Sequence, residues 1–91
     1  MTLSEIREEH KRTRLKTERW HELNHLARAR TAEIAAKFGH KGEHGPLYHR
    51  SKAMEYHIKS QGHSLVDYFH RTKYKKLKEL HHHIASAIEG D

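Results

Sequence analysis

Leu, Ile, Val and Phe together supply only 16 of the 91 residues, so any fold this chain adopts has a thin core. A chain of this length divides no interior between two cores, and residues 1–91 are expected to form one small domain. With a formal net charge of +6, so low an apolar content lies in the range where chains often do not fold alone. Support from a partner or from a second copy of the chain is therefore expected.

Hydrophobic spacing points to an all-α fold with three helices. Thr2 and Ser4 are both able to cap a first helix, and Glu5 stands three residues after Thr2, as a capping box requires. Nothing before Gly39 breaks a helix, so Ser4 to Phe38 is read as one rod of roughly 50 Å at the α-helical rise. Its second half has a packing face of Trp20, Leu23, Ala27, Ile34 and Phe38. Along the same side, Arg12 and Lys16 replace apolar residues in the first half, so residues 4–18 are expected to project as a charged arm from a body spanning 20–88. The segment GHKGEHGP (39–46) reads as an ordered turn, with Pro46 opening a second helix that ends at Gly62. In that helix Leu47, Ser51, Met54 and Ile58 line one side and are expected to face the core, with His49, Lys52, Tyr56 and Lys59 opposite. Ser64 is expected to cap a third helix running to about Ile88, with Phe69, Leu77, Leu80, Ile84 and either Ala87 or Ile88 as its seam.

Lys and Arg total 18 against 12 Asp and Glu, which favours phosphate backbones, acidic proteins or anionic lipid as partners. Cations recurring every one or two helical turns match phosphates spaced along a strand. Three such sets stand out: Arg12, Lys16 and Arg19 on the arm; His49, Arg50, Lys52, Tyr56 and Lys59 on the second helix; and Arg71, Tyr74, Lys75 and Lys78 on the third. Tyr56 and Tyr74 lie among them, placed for stacking on unpaired bases. Lys41, in the glycine-rich turn before the second helix, adds a cation near a helix amino terminus, which attracts anions. The stretch TAEIAAKFG (Thr31–Gly39) resembles the first helix and turn glycine of a helix-turn-helix DNA-binding motif. In that motif the recognition helix begins about three residues after the glycine. Here Pro46 delays it, which displaces Tyr48, His49, Arg50 and Lys52.

Histidine supplies 12 residues. His21 with His25 on a helix, His40 with His44 in the turn, and the run His81, His82 and His83 are each candidate contributors to a Zn or Ni site, a closed site having to be assembled across helices. His21 to His25 spell HExxH and resemble the zinc-protease signature. The third ligand of that family does not follow in its extended pattern, and no strands are indicated to form a cleft. Asp67 and Asp91 are isolated, and most glutamates are placed as helical charge partners. The expectation is a protein that is not an enzyme and needs no cofactor. No run is apolar enough to span a membrane and the amino terminus lacks a secretion signal, so the expected setting is cytoplasmic. The leading expectation is a nucleic-acid-binding accessory protein, RNA or DNA, that grips the phosphate backbone. The alternatives are a basic adaptor or inhibitor docking on an acidic surface of a larger complex and, as a minor one, a histidine-based metal protein. Protonation of all 12 histidines would carry the charge from +6 to +18 (6 plus 12), so nucleic-acid affinity is expected to rise as pH falls.

Overall fold

A computed structural model describes residues 1–91 and is all-helical: α1 (Leu3–Arg12), α2 (Glu18–Ala36), α3 (Pro46–Ser60), α4 (Leu65–Phe69) and α5 (Arg71–Gly90). The all-α class holds and the three-helix count does not. The body is elongated, 54 × 22 × 18 Å, and only 13 residues are buried, as the scarcity of large apolar side chains requires. No helix is long and apolar enough to cross a membrane.

The long first helix is in fact two, and the projecting arm does not exist. Thr2 caps α1 through the expected box with Glu5, but α1 ends at Arg12 because Thr17 caps a new helix, its hydroxyl accepting from the Trp20 N–H. The chain reverses between them and α1 packs back against α2. The apolar effect explains the reversal: a straight rod would leave Leu3 and Ile6 in water, whereas the hairpin buries both, at 4 % and 3 % exposure. They join Leu23, Ile34, Ala35, Ile84 and Ile88 in the principal core. Arg19 staples the hairpin, donating to Glu9 at 2.7 Å and to Glu22 at 3.0 Å. At the other end the Asp91 carboxylate takes two hydrogen bonds from Arg30 (2.9 and 2.7 Å) and one from the Leu3 N–H (2.8 Å), joining α2, α5 and the start of α1. These bonds hold the Asp91 carboxyl well below the ordinary carboxylate range.

The reversal places Lys16 at φ 60°, a conformation that costs an L-residue about 1 to 2 kcal/mol and glycine almost nothing. Lys16→Gly is therefore expected to raise the unfolding free energy by about 0.5 to 1 kcal/mol after the extra freedom of unfolded glycine is discounted. Urea denaturation checks this, and a loss of stability would show that Lys16 holds the turn through its side chain.

The second departure is the orientation of α3. Leu47, Met54 and Ile58 point outward, at 82 %, 59 % and 63 % exposure, while His49, Ala53 and Ser60 are buried. Tyr56 is half-buried on the same inner side. Positions 49, 53, 56 and 60 recur at helical spacing, and this polar and small-residue stripe packs against α5 in the most extensive helix pairing of the molecule. Ala53 and Ala85 are fully buried, and side chains this small let two backbones approach closely. The flanking rings then fill the seam: Tyr56 stacks on Tyr74 and on His81, and His81 on His49. Burying flat rings, with His49 Nδ1 and His81 Nδ1 paired across the seam, competes successfully with burying the three aliphatic side chains on the opposite side of α3.

Gly39 ends α2 as expected, at φ 82°, and lets the His40 N–H donate back to Ala35 O. Pro46 opens α3. The expected third helix is divided: Ser64 caps α4, and the chain bends at His70 into α5. Leu80 packs on the core that holds Ile84 and Ile88, and Leu77 is half-buried. Phe69 is not part of the seam; it is 72 % exposed.

Candidate phosphate-binding face and histidine cluster

Ion pairing separates the predicted cations into two groups. Arg19 is tied to Glu9 and Glu22, Arg50 to Glu89 at 2.6 Å, and Lys52 and Lys59 share Glu55 at 3.2 and 3.4 Å. The carboxyls of Glu55 and Glu89 are held below their ordinary range by hydrogen bonds from these partners. Arg12 and Lys16 are exposed but belong to the hairpin and its turn, with Arg12 Nε donating to Glu8 O. Lys41 is exposed in the loop before α3. His49 is no surface group at all: its exposure is 0 %, so its place in the second-helix stripe is overturned.

The remaining group lies on α5. Arg71, Lys73, Lys75, Lys76 and Lys78 crowd its first eight residues, and none of them pairs with a carboxylate. There is no acidic residue in the first turn. Cations there oppose the helix dipole, a local conflict that a bound anion relieves. Between the end of α3 and the start of α5 lies a groove of about 420 Å³ with no hydrophobic side chain, lined by His57, Ser60 and Gln61 opposite Arg71, Lys75 and Lys78, with Glu79. Arg71 Nε is buried without a partner. Lys78 Nζ lies 3.0 Å from His57 Nδ1, which makes that nitrogen the acceptor. Lys73, Lys76 and His57 do not stand out by helical spacing; the density of Lys and Arg between 71 and 78 is the sequence signal that marks this segment.

Tyr56 and Tyr74 stand beside this face, yet they stack on each other with ring centres 6.0 Å apart. Tyr56 also lies 5.7 Å from His81 and Tyr74 6.0 Å from His70. Their faces are thus largely taken up within the molecule and are not free platforms for bases.

The histidines sort differently. His21 and His25 are exposed on α2, with His21 against the Trp20 edge. His40 and His44, by contrast, meet His49 and His81: ring centres are 5.7 Å apart for His40–His44, 4.8 Å for His40–His49 and 5.1 Å for His49–His81. His49 Nδ1 and His81 Nδ1 are 2.9 Å apart, so one donates and the other accepts. Burial first, then the neighbouring imidazoles His40, His81 and His44, pushes His49 down to about 4. Burial also lowers His40 and His81. With the side chains as they stand, no three His, Asp or Glu groups are arranged to hold a metal ion. No protein-family model, curated protein or solved structure matches this chain.

Proposed function

We propose that the chain is a non-catalytic protein that binds the phosphate backbone of a nucleic acid through the amino-terminal half of α5. The observation that carries this reading is the run of five cations from Arg71 to Lys78 without a single carboxylate partner, in a molecule whose other helices pair many of theirs. Backbone contact through charge requires neither base readout nor free aromatic platforms. The cytoplasmic setting and the self-association inferred from composition belong to the same proposal.

The test is a triple substitution, Arg71→Gln, Lys75→Gln and Lys78→Gln, assayed on single- and double-stranded oligonucleotides across a salt series. Affinity is expected to fall at least about tenfold, and the slope of log affinity against log salt to shrink by about 2 units on single strands, at roughly 0.7 for each phosphate no longer neutralised. The melting temperature should fall only slightly, because these side chains form no ion pairs within the fold and only the Lys78–His57 hydrogen bond is given up. Wild-type protein that binds neither oligonucleotide at low salt overturns the proposal.

A second reading, docking on an acidic surface of a larger protein, is favoured by the uncovered aliphatic row Leu47, Met54 and Ile58. An interface that buries this row retains affinity at high salt, which charge neutralisation alone does not.

A further inference from the structure

We propose that His40, His44 and His49 bind one divalent ion of the zinc class through their Nε2 atoms, with His81 as the outer partner that orients His49. Two of these nitrogens, His40 Nε2 and His49 Nε2, are buried and have no hydrogen-bond partner. A buried imidazole nitrogen left without a partner costs about 1 to 3 kcal/mol, and His49 is fully enclosed, so water does not relieve it from the surface. A metal ion supplies the missing partner.

The ring spacing fits. Imidazoles bound to one tetrahedral zinc at 2.0–2.1 Å per nitrogen have ring centres roughly 5 Å apart. His40 and His49 are at 4.8 Å and His40 and His44 at 5.7 Å, while His44 and His49 are at 6.5 Å. His44, the exposed member, lies farthest from the other two rings and has to swing inward to close the set. The loop is built for that approach: a Cβ on residue 42 would lie 3.2 Å from His44 Nε2 and 3.6 Å from His40 Nε2, and Gly42 has φ 135°. Glycine therefore leaves space beside both nitrogens and the backbone freedom to bring them together.

The second nitrogen of His49 completes the arrangement. Coordination through Nε2 requires the proton on Nδ1, and His49 Nδ1 has His81 Nδ1 as its acceptor at 2.9 Å. A ligating histidine whose other N–H is held by a neighbour is fixed in tautomer and orientation. The sequence spacing is H-x3-H-x4-H, the third ligand falling in the first turn of α3. Three protein ligands leave a fourth position for water.

The experiment uses tag-free full-length protein stripped with chelator and titrated with Zn²⁺ and, for its absorption bands, Co²⁺. One equivalent of each is expected to bind, zinc raising the melting temperature and cobalt giving tetrahedral bands that zinc abolishes. His44→Ala, at an exposed position, keeps the fold and is expected to weaken binding at least tenfold; His40→Ala should do the same. His82→Ala with His83→Ala, and separately His21→Ala, should leave binding unchanged. Absence of zinc stabilisation at a tenfold excess, or unaltered affinity in His44→Ala and His40→Ala, overturns the proposal, as does loss of binding in the His82 and His83 variant instead.

Discussion

Ile84→Ala is expected to lower the unfolding free energy by about 3 to 5 kcal/mol, while Ile58→Ala changes it by less than about 0.5 kcal/mol. Both residues are isoleucines on helices with apolar periodicity, and the sequence pattern alone gives them equal standing. Their environments are opposite. Ile84 is fully buried, with Leu3, Ile6, Leu23, Ile34 and Ile88 in the same cluster; Ile58 is 63 % exposed on the outer side of α3. Removing three methyl or methylene groups from Ile84 loses their transfer free energy and leaves a cavity that α1, α2 and α5 can close only by moving together. A domain of this size has a total stability of several kcal/mol, so the variant should be largely unfolded at moderate urea concentrations. Urea midpoints for the two proteins check this. Equal losses would restore the orientation of α3 that its aliphatic spacing suggests and overturn the histidine and tyrosine seam.

What is legible in the sequence follows from where one physical effect acts without competition. The α5 seam through Leu80, Ile84 and Ile88 is readable because its apolar residues recur at helical spacing and no other face of that helix rivals them. The box formed by Thr2 and Glu5, the stop at Gly39 and the start at Pro46 are equally plain, since each depends on local backbone chemistry. The break at residues 13–17 is not, because Thr17 is an effective cap only if the preceding helix can bury Leu3 and Ile6 elsewhere, a long-range condition. The flip of α3 is hidden for a related reason. Counting aliphatic residues favours the face with Leu47, Met54 and Ile58, whereas Ala53 on the other face permits a closer approach to α5 and brings in rings that are both large and polar.

The candidate sites divide along the same line. The cations of α5 are legible as a dense run of Lys and Arg over a short window, and the structure pairs none of them with a carboxylate. Lys52, Lys59, Arg50 and Arg19 look equivalent to them as sequence, but pairing with Glu55, Glu89, Glu9 and Glu22 depends on helix faces and on contacts between helices. His40 and His44 are visible as a pair; that His49 and His81 join them requires the inverted α3.

Acidification should expose that cluster directly. With a chelator present so that no metal contributes, stability is expected to be constant above about pH 7 and to fall by about 2 kcal/mol by pH 5 through His49 alone. In the unfolded chain His49 titrates at the ordinary histidine value near 6.5, whereas in the folded protein it is pushed down to about 4. Between these values the unfolded state binds a proton that the folded state refuses, so stability present above pH 6.5 is lost as pH falls and the loss is complete near pH 4. His40 and His81, also lowered by burial, add to the loss in the same direction. The groups facing His49 are His81 on α5, His40 and His44 on the loop, and Tyr48 on α3, with the Lys52 cation bearing on His81; no carboxylate is among them to accept the new charge. The acid side chains act elsewhere on the scale: Asp91, Glu5, Glu55 and Glu89 are all lowered from ordinary carboxylate values, so the stability they contribute is lost progressively below about pH 5. Binding should respond less than the histidine count suggests, because His49 gains no charge near neutrality. Urea unfolding at pH 8, 7, 6 and 5, repeated with His49→Gln, separates the causes. The variant is expected to be less stable at pH 8 and to have a flatter profile between pH 7 and 5, and a wild-type profile that is level over that range would show that the imidazole pair is not enclosed in the α3–α5 seam.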